Sequence, residues 1–389
     1  MNLKKTMTLN ISSIFRKAAF LCAVIGISTL TLFSCGSDDD DTPPPPTEIA
    51  NGSAGPLTWI LMSDGVLTIS GEGKMPSYET TTAPWDAYRS SIKKVVAEDG
   101  VASIGKGAFK NYTNITEMAI AQSVDSIHTS AFAGCGLTSI VFPEGMTDIG
   151  EYAFTDCTDL EDVTFPSSLL GIHESAFAGC TSLNNFTLPA LEYMGHEAFA
   201  GCTSLTQVTF DKDIFDSSLM PGVNDFFIGC TNLQSIDVQS GGVSAYTSVD
   251  GVLLSKSKYS LLECPAGKAG SYVVPDEVTI IWLGAFYDCS KLTSITLPDA
   301  LETIRIQAFM GCTGLTEITI PANVNYINVE AFKDCSKLTK VTVMATAPPS
   351  LKRDNFTAAN DVLYVPATSL SAYQADPDWS AAFSDIKGF

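Results

Sequence analysis

Positive charge is scarce in this chain of 389 residues: 22 Lys and Arg stand against 43 Asp and Glu, a formal net charge of −21. A surface of that sign repels phosphate backbones and excludes nucleic-acid binding; it offers no basic patch for an anionic membrane either. Histidine is rarer still, three residues in all, which leaves little for His-based catalysis or a His-rich metal site. No Gly-rich phosphate loop, His-Glu-x-x-His or Gly-x-Ser-x-Gly occurs, and no isolated Cys/His couple marks a nucleophile. Carboxylates are numerous but scattered, and no pair can be placed at glycosidase spacing. The chain is therefore read as a non-enzyme with no catalytic residue, no metal site and no cofactor. Its apolar share of 45% is ample for a folded body.

Residues 1–34 read as an export signal. Lys4, Lys5, Arg16 and Lys17 precede an uncharged, mostly apolar run from Ala18 to Ser34. The run ends in Leu32-Phe33-Ser34-Cys35, which resembles the lipobox of bacterial lipoproteins, with Phe33 bulkier than the residue usual there. The resemblance implies lipidation of Cys35, and two or more acyl chains anchor a protein stably without a transmembrane helix. Residues 35–55 continue as a linker. Asp38 to Asp41 resemble the acidic stretch that directs Bacteroidetes lipoproteins to the outer face of the outer membrane. Thr42-Pro-Pro-Pro-Pro-Thr47 is a stiff polyproline spacer. The expected address is the outer membrane, lipid-anchored and facing the cell exterior.

The body of the chain is one repeat. Ala-Phe recurs at Phe109, Phe132, Phe154, Phe177, Phe199, Phe286, Phe309 and Phe332, with Phe226-Phe227 as a variant. The spacing is mostly 22 or 23 residues, with one gap of 28 and one of 59. Cys stands three places after each Phe from Cys135 to Cys335, and Tyr112 replaces it in the first unit. An aliphatic residue stands five places before, as in Ile104, Ile127 and Ile149. The other half of each unit alternates like a half-buried strand, as in Leu315-Thr-Glu-Ile-Thr-Ile-Pro321. Proline then ends the strand, because it cannot donate to a ladder. One unit is too small to fold alone, so the units stack. The predicted fold is a repeat solenoid, a leucine-rich-repeat-like right-handed superhelix of parallel strands joined by short helical turns carrying Ala-Phe-x-x-Cys. About eleven coils at ~4.8 Å spacing span roughly 50 Å. The nine Phe residues are expected to form one continuous internal ladder.

The pattern Leu-x-x-hydrophobic-x-hydrophobic resembles leucine-rich repeats, but Pro follows the strand and Cys precedes it. Together with Ile104-Gly-Lys-Gly-Ala-Phe109 and Ile149-Gly-Glu-Tyr-Ala-Phe154, this resembles the BspA-type bacterial leucine-rich repeat family over roughly residues 56–389. The resemblance implies a cell-surface protein, often associated with adhesion to host matrix proteins or to other cells.

Residues 56–98 lack the repeat. A hairpin about Asp64-Gly65 reads as an N-terminal β cap. The solenoid then runs over 99–345, with a variant unit at 239–280 that contains a second hairpin. Residues 346–389 form a C-terminal cap, a last strand followed by a small amphipathic helix. The repeat cysteines are expected to be buried thiols acting as small apolar fillers, because a column of parallel side chains cannot meet disulfide geometry. His128 and His173 stand in for Gly at an exposed turn.

The outward strand positions form the candidate ligand-binding face: Asp162, Thr164, Asn185, Thr187, Gln207, Thr209, Asp237, Thr296, Glu317 and Thr319. This surface is Thr/Ser-rich, flat and mildly acidic, and suits a protein partner better than a small molecule. A glycan is the alternative ligand. It would need an aromatic platform, for which Tyr152, Tyr193, Trp282 and Tyr326 are the candidates. Contact with the membrane is expected only through the lipid anchor.

Overall fold

The computed structural model describes residues 44–211, 226–242, 244–356 and 362–389. The export signal, Cys35 and the acidic stretch lie outside the described residues. The chain winds into a parallel β-solenoid of about 12 turns with little helix. Each repeat contributes two extended pieces. The longer follows Leu, as in Asp162–Thr164 and Glu317–Ile320. The shorter carries the repeat Ile, as in Asp148–Ile149 and Thr303–Ile304. Both stack in parallel on the equivalent pieces of neighbouring coils, for example Asp148 opposite Ser126 and Gly171.

The third side of each coil is a turn and not a helix, which corrects the expectation of short helical turns. Its backbone forms a ladder of its own. The amide N–H groups of Ser130, Phe132 and Gly134 donate to the carbonyls of Glu151, Ala153 and Thr155 in the next coil, at 2.9, 2.8 and 2.7 Å. The place two after Phe is held in the left-handed region throughout, with φ of 63° at Asn111, 59° at Asp156 and 76° at Gly311. Every repeat has Gly, Asn or Asp there, the residue types that tolerate this conformation best.

The phenylalanines do stack inside. Phe109, Phe132, Phe154, Phe177, Phe199 and Phe227 follow one another with centroids 5.1–5.6 Å apart and nearly parallel planes. The stack extends one rung further than the repeat: Trp85 lies 5.3 Å below Phe109, and its Nε1 donates to the Ala108 carbonyl at 3.2 Å. Phe286, Phe309, Phe332 and Phe356 form a second stack at 4.9–5.2 Å.

The two stacks do not meet, so the single unbroken ladder is corrected to two. Cys264 occupies the intervening Phe place: its N–H donates to Ala285 O at 2.7 Å, as Phe286 N–H does to Ala308 O. Around it, the variant unit folds as an antiparallel meander of Tyr246–Val249, Val252–Ser255 and Ser260–Glu263. Leu253 and Leu262 pack into the first core, whereas Val252, Leu254 and Leu261 pack into the second. The meander is thus a wall with apolar residues on both faces, and Ser260–Glu263 restarts the parallel sheet against Ile280–Ile281.

The ends are more elaborate than the sequence implied. The N-terminal cap is a three-stranded antiparallel meander of β1 (Glu48–Ala54), β2 (Leu57–Met62) and β3 (Val66–Gly71). The cap therefore starts at Glu48, inside the stretch read as linker, and β3 hands over to the parallel strand Lys94–Ala97. At the other end Val362–Val365 is followed by α1 (Leu370–Ala375) and α2 (Pro377–Ala382). A further strand, Asp385–Gly388, then closes the sheet. Trp379 and Phe383 cover Phe356, the last ring of the second stack.

Candidate ligand-binding face

The Leu-containing strands place alternate side chains outward, because successive residues of a strand face opposite sides. Asp162 and Thr164 are exposed and lie opposite Ser139 and Val141. Thr187 is exposed beside a half-buried Thr209, and Thr296 is exposed beside Val273. Thr319 is exposed and faces Thr342. The face falls into five hydrogen-bonded sheets among the described residues, and single backbone bonds bridge some of the gaps, as from Thr138 N to Thr116 O at 3.3 Å and from Asn184 N to Glu161 O at 2.8 Å.

Several candidate side chains are engaged with the protein itself. Asn185 Oδ1 accepts from Thr206 N, Thr206 Oγ1 and Gln207 N at 3.0, 3.1 and 2.8 Å, clamping one coil to the next. Gln207 Nε2 and Ser235 Oγ both donate to Asp237 Oδ2, at 2.6 and 2.7 Å. Glu317 pairs with Lys340 at 3.0 Å. Asp162, Thr164, Thr187, Thr296 and Thr319 are the exposed groups of this set that take no part in these bonds; Thr209 is half-buried, and Asn185, Gln207, Asp237 and Glu317 are the ones least available to a ligand.

The charge around this face is uneven, a feature the sequence reading passed over. Between Lys110 and Lys212 there are thirteen Asp and Glu and no Lys or Arg. Lys94, from the preceding coil, reaches Glu117 at 3.1 Å. Exposed aromatic and aliphatic side chains sit among these acids: Val141, Tyr152, Leu170 and Tyr193. Tyr152 Oη donates to Glu174 at 2.6 Å, and this bond, with the Glu151 and Glu197 charges, raises its pKa.

The four aromatics weighed as a glycan platform do not assemble. Tyr193 lies in the first short-strand sheet, 5.2 Å from His173. Tyr326 lies in the second, under Lys352, and Trp282 is covered by Arg305. The histidines also differ from expectation. His128 and His173 are half-buried, and burial followed by the Lys74 and Lys106 charges lowers the His128 pKa. His173 Nε2 is 3.4 Å from Asp148 Oδ1. Among the described residues no three His, Cys, Asp or Glu converge as metal ligands.

The repeat cysteines do more than fill space. Their thiols donate to the Phe carbonyl of the coil below: Cys135 to Phe109, Cys157 to Phe132 and Cys312 to Phe286, at 3.0–3.1 Å. Burial pushes the Cys157 thiol up to about 12 and the Cys180 and Cys312 thiols well above the ordinary value, so they remain protonated donors. All nine cysteines from Cys135 to Cys335 are buried and unbridged.

These features define a leucine-rich-repeat solenoid of the type in which each coil carries Ala-Phe-x-x-Cys. The BspA type leucine rich repeat region matches in six copies over residues 87–206, 159–249 and 263–359; the chain belongs to this family. Among solved structures, a leucine-rich repeat protein from Eubacterium ventriosum is 26% identical, covers 82% of this chain and 78% of its own, and superposes with a TM-score of 0.54. The pneumococcal vaccine antigen PcpA is 20% identical, covers 87% of this chain and 98% of its own, and also has a TM-score of 0.54; it shares the fold. No match is found among the curated proteins.

Proposed function

We propose that this protein is a non-catalytic, lipid-anchored surface protein whose strand face binds a protein ligand, and that the ligand presents a basic surface. The observation that carries this reading is the run of coils from 111 to 211, where thirteen acids have no Lys or Arg among them. Neighbouring coils ~4.8 Å apart bring acids on the same side of the solenoid within one screening length, about 8 Å at physiological salt, so the fields of adjacent acids add. Asp162 and Thr164 stand outward on this stretch beside Ser139 and Val141, which gives hydrogen-bonding groups and some apolar area together. Family membership supports a role in protein interaction. Adhesion to host matrix or to other cells, anchoring through Cys35 and display on the outer face of the outer membrane belong to this proposal.

The test is retention of the full-length protein on a panel of immobilised matrix proteins while salt is raised from about 0.01 to about 0.15 M. Retention should weaken with salt, and Asp162→Lys should weaken it further, chiefly through the association rate. Lys340→Glu, in the other half of the face, should leave it unchanged. Retention indifferent to both salt and Asp162→Lys would end the basic-partner reading.

A further inference from the structure

The turn ladder has an unfinished end. In later coils the carbonyl one place after Phe receives an N–H from the coil below: Ala133 O from Asn111 N at 2.6 Å, Thr155 O from Gly134 N at 2.7 Å and Ala178 O from Asp156 N at 2.8 Å. The first coil has no coil below it, and the cap supplies substitutes. Tyr78 N–H closes the Lys106 carbonyl at 2.8 Å, and Trp85 Nε1 closes Ala108 at 3.2 Å. The third carbonyl of the set, Lys110 O, receives neither. Lys110 is among the residues that line a cleft of about 280 Å³ between the cap segment 78–89 and the first two turns.

The lining has a distinct chemistry. Thr81, Thr82, Asn111, Thr129 and Ser130 bring hydroxyls and an amide to the cleft. Asp86 is held there by bonds that both fall on Oδ1, from Arg89 at 2.7 Å and from Tyr112 Oη at 3.0 Å. Its Oδ2 is left for another donor. The ring of Tyr78 forms one wall, set edge-on to Trp85 at 5.6 Å, and its buried hydroxyl has no hydrogen-bond partner. The charged groups of the lining cancel, Glu79 and Asp86 against Arg89 and Lys110, on a chain whose net charge is −21. A cleft that is locally neutral, rich in hydroxyl and amide groups that both donate and accept, and lined by two tyrosines, Tyr78 and Tyr112, selects a neutral ligand with several hydroxyls. Its volume equals that of about nine waters at ~30 Å³ each, and lies at the small end of ligand sites.

We infer that the cleft between the cap and the first coil is a binding site for a single sugar residue, whose hydroxyls complete the open rung at Lys110 O and engage Asp86. This site is separate from the strand face and from the aromatic positions discussed above, and it stands whether or not that face binds a protein.

The test is saturation-transfer NMR on the full-length protein with D-glucose, D-galactose, D-mannose, L-fucose and N-acetyl-D-glucosamine, each at millimolar concentration, and with inorganic phosphate as a competitor. At least one sugar should give a transfer signal that phosphate does not displace. Thr82→Trp, a change at an exposed residue of the rim, should fill the cleft and abolish the signal while the melting curve stays unchanged. Asp86→Asn should weaken binding by about tenfold, as expected for loss of a charge-assisted hydrogen bond. The assignment is overturned if none of the five sugars gives a signal, if Thr82→Trp retains it, or if phosphate displaces the sugar.

Discussion

The two aromatic stacks are built from the same repeat but dressed differently. The first runs from Trp85 to Phe227 and carries the stretch 111–211 with thirteen acids and no Lys or Arg. The second runs from Phe286 to Phe356, and over residues 250–354 ten Lys and Arg accompany eleven Asp and Glu. The second half spends its cations on itself. Lys333 meets Glu330 at 2.7 Å, Lys340 meets Glu317 at 3.0 Å and Arg305 lies over Trp282. Solvent-accessible pairs of this kind each contribute only about 0–1 kcal/mol, whereas a buried ring contributes several times more. The core therefore decides the fold in both halves, and what differs between them is surface charge.

The largest expected effect comes from removing a ring. Phe154→Ala and Phe309→Ala should each cost about 3–5 kcal/mol, measured by chemical denaturation. The comparison sharpens in where the loss is felt. In a solenoid each coil leans mainly on its neighbours, and the meander walls one core from the other. Phe309→Ala should lower amide-exchange protection across 286–356 and leave 109–199 unchanged. Equal loss in both halves would mean that the wall transmits cooperativity.

The stacks were legible in the sequence because a ring every 22 or 23 residues leaves few alternatives. The wall was not, although its signal was present. Val252-Leu-Leu254 and Leu261-Leu262 are consecutive apolar residues, the mark of strands buried on both faces, and reading them only as a hairpin missed the second face. Cys264 could not be recognised as a ring substitute, since its place is set by backbone pairing alone. The Gly, Asn or Asp two places after every Phe was visible and marks the left-handed turn. The internal use of Asn185, Gln207 and Asp237 was hidden, because cross-coil partners depend on register and one sequence does not display it.

That left-handed column offers the next comparison. Gly201 and Gly311 are equivalent, with φ of 69° and 76°. A methyl on Gly201 would meet only Gly179 N and Cα at ordinary contact, 3.8 and 3.9 Å, while one on Gly311 would clash with Asp288 Oδ1. Gly201→Ala should cost about 1–2 kcal/mol from the backbone conformation alone. Gly311→Ala should cost about 1 kcal/mol more in thermal melts, and Asp288→Gly in the same chain should recover that excess.

The buried thiols separate the halves kinetically. Alkylation of the native protein at pH about 8, where an ordinary thiol reacts readily, should leave the cysteines from Cys135 to Cys335 unlabelled, because burial keeps them inaccessible. As denaturant is raised below the unfolding midpoint, mass spectrometry should find Cys264 labelled first. Its thiol contact to Pro265 O is long, 3.9 Å, whereas Cys289 and Cys312 bond at 3.3 and 3.0 Å. It also sits where the ring stack is interrupted.

The smallest effect is one of sign. Hydrogen bonding to Arg89 holds the Asp86 carboxyl below the ordinary range, whereas burial and then the Asp334 charge raise that of Asp288. A lowered carboxyl adds stability above its unfolded pKa of about 3.9, and that stability is lost as pH falls through the folded value. A raised carboxyl does the opposite: the folded state binds more protons than the unfolded, and stability declines as pH rises from about 3.9 through the folded value. Asp288→Asn should thus stabilise the protein slightly at neutral pH, with the gain vanishing below pH about 4. Asn also suits the φ of 53° at this position. Asp86→Asn should destabilise over the same pH range. Melting temperatures of the two variants between pH about 3 and about 7 should therefore diverge in opposite directions from wild type, and parallel curves would show that neither carboxyl is coupled to folding.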